Sequence, residues 1–142
     1  MAAVSISLEP NLPAEGRDAL WQGLFAYNRE HIADDHVEHL YLVLRDDAGG
    51  IVGGLLGDCY WNWLHVELLW LAEAVRREGW GSRLLKRAEE EALARGCTGV
   101  HLDTFSFQAL PFYRKHGYEV FGEIDGFPGG HRRYYLKKML QR

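Results

Sequence analysis

Leu68-Leu69-Trp70-Leu71-Ala72-Glu73-Ala74-Val75-Arg76-Arg77-Glu78-Gly79-Trp80-Gly81-Ser82-Arg83-Leu84-Leu85 is the stretch that decides the fold. Its apolar start reads as the end of a buried strand. A short polar loop follows, and a helix opens at Gly79-x-Gly81. The first turn of a helix has unpaired backbone N–H groups and a partial positive charge. Two glycines remove side chains where a phosphate approaches that backbone, and Arg76 and Arg77 add cations. The stretch reads as a pyrophosphate cradle; as a purely structural alternative, the glycines only shape a tight turn. No Gly-Lys-Ser/Thr follows, so it is not a P-loop. The third glycine of a dinucleotide fold is also missing.

Working outward, residues 79–95 carry the clearest helical pattern. Trp80, Leu84, Leu85, Ala88, Ala92 and Leu93 make one face, and Lys86/Glu90 and Arg87/Glu91 lie four apart on the other. Gly96 ends it. Upstream, Leu64–Leu71 is apolar enough for a central strand buried on both faces. Leu40–Arg45 and Ile51–Asp58 read as a hairpin around Asp46-Asp47-Ala48-Gly49-Gly50. Val4–Leu8 alternates and predicts a short strand, and residues 14–30 a helix. Downstream follow strands at Val100–Thr104, Tyr118–Glu123 and Arg132–Met139, with a short helix over Gln108–Lys115. The order is β-α-β-β-β-α-β-α-β-β, an α/β chain with a mixed sheet.

The 142 residues match one domain, 1–142. At 47% hydrophobic and 25% charged, the chain can bury a core. A net charge of −4 argues against a nucleic-acid binder with a broadly basic surface. Cys59 and Cys97 fit a reducing cytoplasm better than a disulfide framework. The N-terminal MAAVSISLEPNLP lacks the pattern of a secretory signal, and no stretch approaches the ~20 apolar residues that span a bilayer.

The central residues resemble the GNAT superfamily of acetyl-CoA-dependent N-acetyltransferases. That family's Arg/Gln-x-x-Gly-x-Gly/Ala signature corresponds to Arg76-Arg77-Glu78-Gly79-Trp80-Gly81. A second family segment, a small residue, a tyrosine and a Gly-aromatic pair, corresponds to Ala109, Tyr113 and Gly117-Tyr118. The resemblance covers about residues 40–125. It implies a GNAT-type acyltransferase fold whose mostly antiparallel sheet splays between its fourth and fifth strands and is flanked by helices. It implies acetyl-CoA as cosubstrate, with the pantetheine arm along Leu69, Trp70 and Leu71. The pyrophosphate then lies on the N–H groups of Arg77, Glu78, Gly79, Trp80, Gly81 and Ser82, with Arg76 as a cation beside them. Thr104, Ser106, Ala109, Phe112 and Tyr113 complete the cofactor set; Ser106 stands where many members carry Asn. Tyr113 matches the family tyrosine that protonates, or hydrogen-bonds, the departing thiolate, and a side-chain pKa near 10 suits a thiol leaving group.

Strand alternation puts His65, Glu67 and Leu69 on one face. Resembling enzymes place general bases at the positions of His65 and Glu67, and both stay open here. A strand histidine is also satisfied as a hydrogen-bonded core residue, and Glu67 can instead pair with Arg132 or Arg133. Tyr60, Trp61 and Trp63 read either as core or interface residues or as an aromatic wall for an amine. His31, Asp34, Asp35, His36, Glu38 and His39 form a polar cluster that reads as a solvated loop, with no metal expected. Asp125–His131 has the glycines of a lid with Phe127 as its closing side chain. Arg132, Arg133, Lys137 and Lys138 read as outer strand positions. The expected activity is direct acetyl transfer to a small-molecule amine in a ternary complex, without a cysteine acyl-enzyme. Rival readings are a protein lysine or N-terminal acetyltransferase and a non-catalytic acyl-CoA-binding domain. A homodimer is compatible; nucleic acid and membrane are not expected partners.

Overall fold

A computed structural model describes residues 2–33 and 36–141. The chain falls into two units, Met1–Asp35 and His36–Arg142. In the first, α1 (Ala14–Arg29) starts where the Gly16 and Arg17 amides donate to the Pro13 carbonyl at 3.0 and 3.2 Å. Trp21 and Phe25, four apart, stack with ring centroids 5.6 Å apart. The strand expected at Val4–Leu8 does not form. Five alternating residues become a strand only where a neighbour supplies a ladder, and no described residue pairs with them.

The second unit is built on a six-stranded sheet ordered β1-β2-β3-β4-β6-β5. β1 (Glu38–Arg45) and β2 (Ile51–Tyr60) form the expected hairpin. Its turn is held by Asp46, whose Oδ1 accepts from the Ala48 and Gly50 amides at 3.0 and 2.8 Å. β3 (Trp63–Leu71) returns from β2 through Trp61-Asn62, both at positive φ (48° and 68°), the twist a two-residue hairpin needs. After a 3-10 turn, Glu73–Val75, come α2 (Trp80–Ala94), β4 (Gly99–Phe105), α3 (Leu110–Lys115), β5 (Glu119–Asp125) and β6 (Arg132–Met139). Among the described residues only β3 and β4 pair in parallel; the other ladders are antiparallel. This is the mixed α/β architecture expected.

The core lies between α2 and one sheet face. Leu85, Ala88 and Ala92 of α2 meet Leu40, Leu55, Leu64, Val66, Val100, Leu102 and Leu136 of five strands. At about 1.5–3 kcal/mol for each large apolar side chain removed from water, this layer dominates the stability of the second unit. Gly99 sits under the Trp63 ring, where a Cβ would lie 2.5 Å from it.

Two irregularities of β3 set up the site. Leu56 faces Leu68 and Gly57 faces Val66, so Glu67 is the extra residue of a β-bulge. The bulge shifts the alternation by one. His65 shares its face with Leu68, whereas Leu69 joins Leu64 and Val66 on the α2 face. The expectation that His65, Glu67 and Leu69 share a face is therefore wrong. Second, β3 and β4 pair only from Trp63/Gly99 to His65/His101 and then part. β3 is buried only in its first half: Leu64 and Val66 are buried, but Glu67, Leu68 and Trp70 are exposed. A strand that loses its neighbour cannot be covered on both faces.

Candidate active site

The parting of β3 and β4 opens a cleft of about 650 Å³. One wall is β3 from Val66 to Leu71, and the other is Leu102–Phe105 of β4. α3 closes the cleft with Ala109, Phe112 and Tyr113, and Arg76 and Gly81 stand at the start of α2. Beyond His65 the β3 edge facing β4 has no ladder partner among the described residues, so an extended ligand can pair with it.

At the cleft's end the chain makes the predicted turn. Gly79 is the N-cap of α2 at φ 86°, a left-handed conformation that glycine adopts without strain, and a Cβ there would meet nothing within 4 Å. Arg77 is also left-handed, at φ 65°. The first bond closing the helix runs from the Arg83 amide to the Gly79 carbonyl at 3.1 Å. The backbone N–H groups from Arg77 to Ser82 have no acceptor among the described residues. They form a nest of donors that suits an anion. Arg76 folds back, its Nε donating to the Leu71 carbonyl at 3.0 Å, which fixes the loop to the strand end.

Tyr113 is buried, and its hydroxyl pKa is pushed up to about 12, first by burial and then by the Asp103 carboxylate. It stays protonated through the neutral range and can give a proton. Asp103 is held by Arg133 through two contacts, Nη2–Oδ2 at 2.9 Å and Nε–Oδ1 at 3.1 Å. Arg132 pairs with Glu123 and Asp125. Neither arginine is bonded to Glu67, which lines the cleft as an exposed carboxylate. His65 does not line the cleft. Its ring stacks on His101 at 4.8 Å on the face away from α2. Burial, with the charge of His65 next, pushes the His101 imidazole below its ordinary range, and Asp103 opposes this.

A sequence model of the Acetyltransferase (GNAT) family matches residues 4–118. The chain belongs to the GNAT acetyltransferase family. It is 35% identical to an acetyltransferase of Agrobacterium fabrum over 125 residues, 88% of this chain and 91% of that one. It is 42% identical to blasticidin-S acetyltransferase of Streptomyces morookaense over 95 residues, 66% and 70% of the two chains. The crystal structure of an acetyltransferase from Bacillus cereus superposes with a TM-score of 0.86 at 35% identity, covering 94% of this chain and 98% of that one. The GNAT chain described here is therefore an N-acetyltransferase by family.

Within this GNAT fold the expected site residues fall into groups. Glu67, Leu69, Trp70, Leu71, Arg76, Gly81, Thr104, Ala109, Phe112 and Tyr113 come together around the cleft. Arg77, Glu78, Gly79, Trp80 and Ser82 form the turn at its end. Thr104 is buried and works in the β4–α3 corner, where its hydroxyl donates to Gln108 Oε1 at 3.3 Å. Ser106 lies between the cleft residues Phe105 and Phe107, but its side chain is engaged by β6 and the loop before it. Its Oγ accepts from the Arg132 amide at 3.0 Å and lies 3.2 Å from His131 Nδ1. Tyr60, Trp61 and Trp63 line a different hollow of about 330 Å³ with His101, Phe121 and Lys137. Phe127 of the glycine loop rests against Phe105 and the Arg133 guanidinium.

Cys59 and Cys97 are both buried free thiols, and burial with Cys59 as neighbour pushes Cys97 up to about 12. Such a thiol is not a nucleophile at neutral pH. Of the polar cluster, Asp34 and Asp35 lie outside the described residues. His36 pairs with Glu38, and His39 with Asp58. Among the strand cations, Lys138 is half-buried and bonded to Glu89 at 2.9 Å, so it is no simple outer position.

Sequence reasoning missed Asp103, Phe105, Phe107 and Gln108 as cleft residues. Asp103 carried a signal: a carboxylate inside an apolar strand three positions from the Ser106 corner needs a cation, and Arg133 was within the next hairpin.

Proposed function

We propose that this chain transfers the acetyl group of acetyl-CoA to a primary amine of a small molecule in a ternary complex. The observation that carries the reading is the continuous path from the amide nest of Arg77–Ser82, along the free edge of β3, to Glu67 and Tyr113. The residues fit the cofactor: free N–H groups for its diphosphate and an unpaired strand edge for its amide-bearing arm. When bound, acetyl-CoA supplies an activated thioester carbonyl. Leu69–Leu71 align the arm, and the nest with Arg76 anchors its charge. Glu67 takes the proton that the ammonium must lose before its nitrogen attacks, directly or through one water. Tyr113 gives its proton to the sulfur as the carbon–sulfur bond breaks, and the second proton that the acylated nitrogen sheds returns to the Tyr113 oxygen through water. The two groups have separate tasks, as their environments suggest: Glu67 exposed, Tyr113 buried and held protonated. Glu67 is preferred over His65 as base because only Glu67 lines the cleft.

The relative named blasticidin-S acetyltransferase supports a small-molecule acceptor. The test is a thiol-release assay with acetyl-CoA against a panel of small amines and, separately, lysine-bearing peptides. Turnover on small amines supports the proposal; turnover on peptides alone replaces it with a protein acetyltransferase.

A further inference from the structure

His116 is absorbed by neither the cleft nor the cradle, yet it touches both. It caps α3, its amide donating to the Phe112 and Tyr113 carbonyls at 3.3 and 3.0 Å. Its Nε2 lies 2.8 Å from Ser82 Oγ, and its ring meets the Phe112 ring at 4.7 Å. Phe112 in turn packs beside Gly81 and against the Tyr113 ring at 5.1 Å. Ser82 is the third residue of α2 and belongs to the nest of free amides. Arg83, Lys86 and Glu89 of α2 and Lys138 of β6 share a hollow of about 380 Å³ with Ser82 and His116. Lys138 is already held by Glu89.

A serine hydroxyl has one proton. If Ser82 donates it to Nε2, the hydroxyl offers an anion only lone pairs. If instead Nε2 carries the hydrogen and donates to Ser82 Oγ, the serine proton is free to point into the nest. We propose that His116 is a positioning residue that, as the Nε2–H form, turns the Ser82 hydroxyl toward the cofactor diphosphate. The proposal rests on the acetyl-CoA reading above. It also makes one side-chain pair the tie between the helix that holds the diphosphate and the helix that carries Tyr113.

The experiment is calorimetric titration of the full chain with CoA, for wild type, His116→Leu, His116→Gln, Ser82→Ala and the Ser82→Ala/His116→Leu double variant. It is paired with long-range nitrogen NMR of the imidazoles. Loss of a hydrogen bond to a charged group predicts about tenfold weaker CoA binding for His116→Leu and for Ser82→Ala. His116→Gln, whose amide N–H replaces Nε2–H, restores most of it. Adding His116→Leu to Ser82→Ala changes little further. In the CoA complex of wild type, His116 Nε2 carries a proton. Equal CoA affinity of wild type and His116→Leu, additive losses in the double variant, or an unprotonated Nε2 in the complex each overturn this proposal alone. If His116→Leu does not fold, the NMR result on wild type decides. A wild type that binds no CoA overturns the acetyl-CoA reading and this proposal together.

Discussion

His65 and His101 face each other across the last rung that β3 and β4 share, their rings stacked at 4.8 Å. Past this pair the strands separate, and the bulged Glu67 lies on the cleft side of the divide. The two candidate bases of one strand thus occupy different environments. Glu67→Gln is expected to lower kcat by about 10²–10⁴-fold, the usual contribution of a general base. Its Tm stays near that of wild type because the side chain is exposed. His65→Gln leaves kcat within a few-fold. Steady-state kinetics on both variants check this, and the reverse ranking would move the base to His65.

Tyr113→Phe keeps the ring that packs against Phe112 and Tyr118 and removes only the hydroxyl. CoA affinity is expected to hold while kcat falls by about 10²-fold or more. A KM change with unchanged kcat would make Tyr113 a binding residue only.

Alkaline stability follows from the same burial. Tyr113 is raised from 10.0 to about 12, and Cys97 from 9.0 to about 12. Tyr118 is raised too, by burial and by Glu89, to whose Oε2 it donates at 2.8 Å. A raised folded pKa means the unfolded chain releases its proton first. The contribution is full below about pH 9 for the thiol and pH 10 for the phenols, and is lost as pH rises toward the folded values. Each such group lowers stability as the pH rises through its window. Unfolding monitored from pH 8 to 11.5 should show a steep loss above pH 9, and Tyr113→Phe should shallow the limb above pH 10. An unchanged limb in Tyr113→Phe would contradict its buried, protonated state.

Two glycines separate the cradle from the scaffold. At Gly79 the φ of 86° makes Gly79→Ala cost about 1–2 kcal/mol in backbone strain without any clash. The altered turn should weaken CoA binding as well. At Gly99 a Cβ would lie 2.5 Å from the Trp63 ring, so Gly99→Ala is expected to cost about 1–3 kcal/mol with CoA affinity unchanged in the folded protein. Melts with and without CoA distinguish the two.

Much of this was legible in residues alone. The Asp46–Gly50 turn, the α2 face of Leu84, Leu85, Ala88 and Ala92, and the Gly79 turn each rest on local chemistry, and each formed as expected. What the residues hid depends on partners far along the chain. The bulge at Glu67 appears only when β2 sets the register, and it moved Leu69 to the other face. Val4–Leu8 alternates like a strand but lacks a ladder. The Ser82–His116 contact joins residues 34 positions apart, beyond any local pattern.

If the proposed function holds, the turn from Arg76 to Ser82 binds acetyl-CoA. The most direct measurement is a thermal melt of the purified chain with acetyl-CoA, CoA and NADH added separately. A ligand at about 100 times its Kd adds roughly 2.7 kcal/mol, a clear rise in Tm. A rise is expected with acetyl-CoA and with CoA and none with NADH. No shift at millimolar acetyl-CoA, or an equal shift with NADH, would contradict it.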